Sequence, residues 1–251
     1  MEKRNLKKRL EKNILFGSFV TFGLADIAEY TALLGFDFIV IDNEHGILNQ
    51  STILDMVRAA QCQGVPAIVR CTHDNVENIH KALDMGAEGI LIPVINTAED
   101  ARNIVKASLY APQGDRGIAF FTRAARYGMM EDKNLYLKKS NEESFISIQV
   151  ETAQSIKNLD EILSVEEIDM FFIGPNDLAA SMGYSNSDPK VLETIKETIE
   201  KINKVGKIAG IFVNNSEEAK RAIEWGAKFI LTSITPYMTR GAKKYLEEVR
   251  N

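Results

Sequence analysis

The chain has little of what cross-linked, fibrous or membrane proteins depend on. Its two cysteines, Cys62 and Cys71, occur in 251 residues. They form no Cys-x-x-Cys pair and no ligand-like spacing, which argues against a disulfide framework and against a cysteine-built metal or redox centre. Six prolines and 16 glycines are too few for a collagen-like or low-complexity chain. No apolar run reaches the ~20 residues that a membrane-spanning helix needs. The uncharged stretch from Asn13 to Ala25 is diluted by Gly17, Ser18, Thr21 and Gly23 and is followed at once by Asp26 and Glu29, so it reads as a strand and a turn, not a signal-peptide core. Positive charge is not in excess either. The formal net charge is -5 and the pI is near 5.4, without the clustered Lys and Arg that neutralise phosphates. These absences predict a cytoplasmic protein that acts on a small molecule, with no nucleic-acid or membrane partner.

What is present is a repeated alternation of short β-branched or aromatic runs with longer amphipathic segments, the pattern of βα units on a parallel sheet. Eight runs qualify as strands: Ile14 to Val20, Asp37 to Asp42, Pro66 to Arg70, Glu88 to Val94, Phe145 to Glu151, Ile168 to Gly174, Lys207 to Val213 and Lys228 to Ser233. Eight units and a length close to the ~250 residues typical of that architecture predict an α/β fold, a (β/α)8 TIM barrel, as one domain over residues 1–251. A short solvated helix, Lys3 to Glu11, precedes the first strand. Asp74 or Asn75 is suited to cap a helix through Met85, Thr97 with Asp100 forms a capping box, and Ser216 opens a helix ending near Trp225. Leu34-Gly35-Phe36-Asp37, Met85-Gly86-Ala87-Glu88 and Trp225-Gly226-Ala227-Lys228 each place glycine where a helix end needs positive φ before the next strand. Only Tyr110 to Glu143, between the fourth helix and the fifth strand, breaks the rhythm. It carries Arg116, Arg123 and Arg126 and reads as an insertion with a functional or interface role.

In such a barrel the chemistry sits at the C-terminal ends of the strands. Asp42, Glu44 and His45 follow the second strand, Arg70 ends the third, Gln149 and Glu151 close the fifth, and Gly174-Pro175-Asn176-Asp177 follows the sixth. Glu151 and Asp177 are hard oxygen donors at consecutive strand ends, suited to share one Mg²⁺ or Mn²⁺ and leave positions for water and a chelating substrate. The alternative for the pair is two loop acids; Gln149, on the same side of the strand as Glu151, favours a polar site. His45 is placed to take a proton near neutral pH, against the alternative of a solvated loop histidine. His73 and His80 lie in or beside a helix and read as structural or exposed. Arg70 is suited to bind a carboxylate or a developing oxyanion, or to form an ion pair with Asp42 or Glu44. Lys207 and Lys228 begin their strands, at the wrong end for a Schiff-base lysine. Asn214-Asn215-Ser216 and Ile234-Thr235-Pro236 replace the Gly-rich phosphate-binding turns expected after strands seven and eight.

Taken together, Ile41-Asp42-Asn43-Glu44-His45, Arg70, Ala82-Leu83-Asp84-Met85-Gly86-Ala87, Gln149-Val150-Glu151-Thr152 and Ile173-Gly174-Pro175-Asn176-Asp177-Leu178 resemble the HpcH/HpaI class II aldolases. Arg116-Gly117 and Arg126-Tyr127-Gly128 extend the likeness into the insertion. The resemblance implies a pyruvate-type barrel that depends on a divalent cation (Mg²⁺ or Mn²⁺, with Co²⁺ as a further option). It also implies reversible carbon–carbon cleavage of a 4-hydroxy-2-oxo acid to pyruvate and an aldehyde, and a homo-oligomer, commonly a hexamer with a helix exchanged between paired subunits. By position it assigns the metal to Glu151 and Asp177, and substrate contacts to Arg70, Gln149, Gly174, Asn176 and Asp177. The catalytic group comprises His45 as proton acceptor, Asp84 raising its basicity, Arg70 and Asp42. Asp84 ends a helix, so it reaches a catalytic mouth only through a neighbouring subunit or an altered local geometry. An acyl-CoA lyase of the citrate lyase β or malyl-CoA lyase type, and a non-catalytic barrel that binds 2-oxo acids, are the competing expectations. Cys71-Thr72-His73-Asp74 after Arg70, and Phe120-Phe121 before the arginines, depart from the family pattern.

Overall fold

A computed structural model describes residues 5–72 and 75–250. Strands β1 (Leu15–Val20), β2 (Phe38–Asp42), β3 (Ala67–Arg70), β4 (Gly89–Ile92), β5 (Phe145–Val150), β6 (Met170–Ile173), β7 (Ile208–Phe212) and β8 (Phe229–Ser233) pair in parallel with their sequence neighbours. β8 returns to β1, so the barrel is closed. The expected strands are all present, each trimmed by a residue or two at one or both ends. Helices α1 (Leu6–Lys12), α2 (Ala25–Leu33), α3 (Gln50–Cys62), α4 (Val76–Asp84), α5 (Ala98–Ser108), α6 (Lys133–Glu143), α7 (Ala153–Lys157), α8 (Leu159–Leu163), α9 (Pro175–Met182), α10 (Pro189–Lys204), α11 (Ser216–Glu224) and α12 (Ile234–Arg250) complete the described elements. None is long and apolar enough to cross a membrane.

The strands are buried on both faces, and alternation along each one decides which residues fill the barrel. Phe38 and Val40 of β2, Ile68 of β3, Phe145 of β5, Met170 and Phe172 of β6, and Phe229 and Leu231 of β8 form the inner cluster. Their neighbours Ile39, Ile41, Ala67, Val69, Ile146, Ile148, Phe171, Ile173 and Ile230 pack outward against the helices. Phe229 stacks on Phe38 with ring centroids 4.0 Å apart and meets Phe145 and Phe172 at 6.2 Å. Gly17 is required beside this stack, because a Cβ there would lie 2.0 Å from the Phe38 ring.

Helix α1 closes the N-terminal end. Asn5 caps it, and Leu6 and Leu10 enter the inner cluster. Lys7 pairs with Asp169 at 3.1 Å and Arg9 with Asp37. A regular device lies beneath. The residue just before β2, β4 and β6 accepts a hydrogen bond from a backbone N–H at the start of the preceding strand: Asp37 from Phe16 (3.0 Å), Glu88 from Ala67 (2.9 Å) and Asp169 from Ile146 (2.8 Å). Lys228 holds the corresponding place before β8 and donates to the Glu11 carbonyl at 3.3 Å. Lys207 likewise donates to the Ile168 carbonyl at 2.9 Å, so both lysines lie at the end expected of them.

Several sequence expectations are confirmed and others corrected. Gly35, Gly86 and Gly226 have φ of 94°, 86° and 101°, the left-handed geometry that lets a helix end and the next strand begin. The Thr97–Asp100 capping box is present, and Asn75 caps α4; Asp74 and His73 lie outside the described residues. The first helix runs from Leu6 to Lys12, one residue past the expected Glu11, and its expected start at Lys3 lies outside the described residues. Ser216 is the first helical residue of α11 and not its cap; Asn215 accepts from Glu217 and Glu218, because an Asn oxygen placed before the helix reaches those amides. Ile234-Thr235-Pro236 opens α12, most of whose residues are exposed.

The insertion after α5 is irregular up to a short 3-10 turn at Arg126–Gly128, and α6 completes it. It is pinned to the barrel by its arginines. Arg116 donates to Asp84 at 2.6 Å, and Arg123 donates to the Met85 carbonyl at 2.7 Å and to Gln61 at 2.6 Å.

Candidate active site

Inward alternation does not stop where the strand ladders end; it carries the next inward positions into the mouth. After Phe38 and Val40 comes Asp42, after Ile68 comes Arg70, and after Phe145 and Ser147 come Gln149 and Glu151. After Met170 and Phe172 comes Gly174. A polar residue in each of these places can only point at the opening, which is why the barrel gathers them there.

Asp42 and Arg70 are register partners on β2 and β3. The guanidinium is held by two parallel bonds, Nε to Asp42 Oδ1 at 2.9 Å and Nη2 to Oδ2 at 2.7 Å, and its Nη1 lies 3.2 Å from Glu44 Oε2. Its plane covers the Phe19 ring at 4.5 Å, and Phe19 packs on Phe172 and Phe212. Both ion pairs expected for Arg70 are therefore made. Asp42 Oδ1 also accepts the backbone N–H of Glu44 and of His45, each at 3.2 Å, so one buried carboxylate fixes both the arginine and the loop after β2. The His45 side chain is mostly solvent-exposed and stands 3.8 Å from Glu44.

Glu151 is only 4% exposed. Its Oε1 accepts the Val94 N–H at 2.8 Å and its Oε2 accepts from the Gln149 amide. Val94 has φ of 57°, unusual for a β-branched residue, and this strained turn aims its N–H at the carboxylate. Burial pushes the Glu151 carboxyl up to about 7; the Val94 hydrogen bond opposes the rise, while the charges of Asp177 and Glu44 add to it and Arg70 opposes it. Glu44 is also raised, chiefly by burial, against the opposing charges of Arg70 and His45. Gly174 makes room for Glu151, since a Cβ there would lie 2.7 Å from Glu151 Oε2. Asp177 lies in the first turn of α9, where the helix N-terminus favours a carboxylate. Asn176 is exposed, and its side-chain oxygen accepts from Asn186.

Among the described residues no group of three or more His, Cys, Asp and Glu side chains is gathered as a ready-made metal site. The donor set nevertheless fits a hard divalent cation. The buried Glu151 carboxyl is disfavoured as an anion by burial and by the charges of Asp177 and Glu44, a cost that a bound cation would offset, and the buried Gln149 Oε1 has no hydrogen-bond partner among the described residues.

Asp84 is not among these residues. At the C-terminal end of α4, it lies at the opposite rim and pairs with Arg116. Arg116 is buried over Tyr110, at 4.5 Å from the ring. Arg116 and Arg123 are thus engaged in packing the insertion, which removes them from the basic mouth that an acyl-CoA handle would need. Sequence reasoning missed Phe19, Val94 and the aromatic support beneath Arg70. Inward alternation in β1 could have found Phe19, whereas the Val94 contact leaves no local signal.

A closed parallel barrel with its polar cluster at the C-terminal mouth defines a (β/α)8 enzyme. The HpcH/HpaI aldolase/citrate lyase family model matches residues 15–237, and the chain belongs to that family. It is 38% identical over 90% of its length to the hydroxypyruvate/pyruvate aldolase of Sagittula stellata, covering 89% of that protein. It is 37% identical over 86% of its length to a 4-hydroxy-2-oxo-heptane-1,7-dioate aldolase of Escherichia coli, covering 83% of it. Among solved structures, a family protein from Burkholderia cenocepacia J2315 superposes with a TM-score of 0.92 at 29% identity, covering 99% of this chain and 100% of that one. Protein CitE of Mycobacterium tuberculosis, solved in complex with magnesium and pyruvate, shares the fold at 15% identity and a TM-score of 0.59 over 89% of this chain and 87% of its own. The chain is accordingly a lyase of the aldolase type.

Proposed function

We propose that the chain is a divalent-metal-dependent aldolase, acting as one barrel domain, that reversibly cleaves a 4-hydroxy-2-oxo acid to pyruvate and an aldehyde. The observation that carries this reading is the cluster of Arg70, Glu151 and Asp177 at one mouth, with Glu151 buried and electrostatically strained. Glu151 and Asp177 would hold Mg²⁺, Mn²⁺ or Co²⁺. When bound, such a cation supplies Lewis-acid polarisation of the 2-oxo group.

The chain's own residues then have distinct tasks. Gln149, Gly174 and Asn176 line the mouth beside the carboxylates and position the 2-oxo acid. Asp42 holds the Arg70 guanidinium rigidly, so that its remaining N–H donors face the oxygen on which charge develops without reorganising during the reaction. His45 accepts the C4 hydroxyl proton. The C3–C4 bond breaks, its electron pair stays on C3, C4 leaves as the aldehyde carbonyl, and protonation of C3 gives the pyruvate methyl group. Asp84 would contribute only across a subunit contact, in a homo-oligomer for which a hexamer is the family expectation. The proposed setting is the cytoplasm.

The test is pyruvate release from a panel of 4-hydroxy-2-oxo acids with each metal and after chelation. Glu151→Ala and Asp177→Ala are expected to abolish metal-dependent release. Undiminished release by either variant after rigorous chelation would overturn the assignment.

A further inference from the structure

The loops after β4 and β5 are fastened to each other at Asn96. Val94 opens the first loop in a left-handed conformation, with φ of 57°, and gives its N–H to Glu151 Oε1 at 2.8 Å. A β-branched residue holds that geometry only where its surroundings enforce it. Two residues on, Asn96 is held from three sides. Its backbone N–H donates to Asp100 Oδ2 at 3.1 Å, within the capping box that starts α5, and its carbonyl accepts from Asn158 Nδ2 at 2.8 Å. Its side-chain oxygen accepts the hydroxyl proton of Thr152, the residue next to Glu151. That hydroxyl has no other proton to give, and as the N-cap of α7 it accepts the Ser155 N–H at 2.9 Å. Asn158 ends the same helix. Asn96 thus grips α7 at both ends, directly behind Glu151 in the chain.

We propose that Asn96 is a positioning residue for Glu151: by clamping the β4 loop to the start of α7, it keeps the Val94 N–H aimed at the carboxylate. Without the clamp, the Val94 turn relaxes towards the extended geometry that a β-branched residue prefers. That withdraws one of the hydrogen bonds that hold the carboxylate, leaving the one from Gln149. Asn96 acts through Val94 and Thr152, so its effect falls on the affinity for the cation that Glu151 would hold and not on the reacting atoms. Groups that orient a metal-binding side chain without touching the metal govern affinity by about 10- to 100-fold. The inference rests on the reading that Glu151 binds a divalent cation; it does not depend on the substrate.

The experiment is Mn²⁺ binding to the full metal-free chain at one fixed pH, followed by loss of the free-ion electron paramagnetic resonance signal, with Glu151→Ala identifying the site. Asn96→Ala is expected to bind Mn²⁺ at least about tenfold more weakly than wild type. At saturating Mn²⁺ its kcat for pyruvate release should stay within about threefold of wild type. Thr152→Val removes the same contact from the other side and should weaken binding likewise, whereas Thr152→Ser, which keeps the hydroxyl, should restore wild-type affinity. Because both act through one contact, the double variant Asn96→Ala, Thr152→Val should bind within about threefold of the weaker single variant. Wild-type affinity in Asn96→Ala, even with a lowered Tm, would overturn the proposal, and so would losses that multiply in the double variant. Should Asn96→Ala not fold, the Thr152 variants decide alone, and wild-type affinity in Thr152→Val would overturn the clamp. A wild-type chain that binds no Mn²⁺ would overturn the metal reading and the proposal with it. Binding that Asn96→Ala weakens, in a wild-type chain that releases no pyruvate, would support the clamp and overturn the aldolase reading.

Discussion

Asp42 and Arg70, directly opposite each other on neighbouring strands, form a two-point ion pair with bonds of 2.9 and 2.7 Å, both residues being buried. The same carboxylate ties down the loop that carries His45, so Arg70 and the proposed proton acceptor share one anchor. Removing it should affect stability and turnover together. Asp42→Ala leaves a guanidinium without its two-point partner, and the expected loss is about 3–5 kcal/mol, read from urea unfolding, with a fall in kcat/KM. A loss under about 1 kcal/mol would mean that Glu44 alone satisfies Arg70.

Glu151 makes the metal-free protein sensitive to alkali. Its folded-state carboxyl is raised to about 7 from 4.5, chiefly by burial. The folded state therefore binds the proton more tightly than the unfolded chain does. The resulting stability is fully present below the unfolded value and is lost as pH rises, completely so above about 7. The shift corresponds to roughly 3 kcal/mol as an upper figure. With chelator present, Tm should fall between pH 5 and pH 8, and Mg²⁺ or Mn²⁺ should raise Tm more at pH 8 than at pH 5. A chelated protein whose Tm is flat across that range would contradict the burial argument.

Gly174 is required for space. The added methyl of Gly174→Ala would sit 2.7 Å from Glu151 Oε2 and 3.1 Å from its Cβ, so the carboxylate must shift from its place. The expected outcome is a folded protein with an unchanged circular dichroism spectrum and a much weaker dependence of pyruvate release on added metal. Wild-type metal titration behaviour in this variant would show that the carboxylate can move without consequence.

The barrel interior offers a prediction that involves no chemistry. Phe229 touches Phe38, Phe145 and Phe172 at the centre of the inner cluster. Phe229→Ala should cost about 3–5 kcal/mol in equilibrium unfolding, because the ring leaves a cavity between four strands. A cost below about 1 kcal/mol would mean that the inner layer collapses freely.

Most of the site was legible because it repeats a rule that the sequence displays. Gln149 and Glu151 extend the inward face of Phe145 and Ser147, and Arg70 extends that of Ile68, so strand periodicity alone placed them at the mouth. Residues whose role depends on contact between distant segments were not legible in this way. The strained Val94 turn serves Glu151, 57 positions later, and the Phe19 ring supports Arg70 from another strand. Neither relation leaves a local pattern.

The sequence by itself determined eight βα units, their glycine-marked helix ends and the polar residues that finish each inward face, since period-two alternation and positive-φ glycines are local properties of the chain. Only the tertiary structure decided which charges meet. Closure of the barrel set Asp42 against Arg70, put Glu44 between Arg70 and His45, and engaged Asp84 with Arg116 at the opposite rim. Coulombic and hydrogen-bond energies depend on distances across the fold, and these are set by strand register and helix packing, not by spacing along the chain.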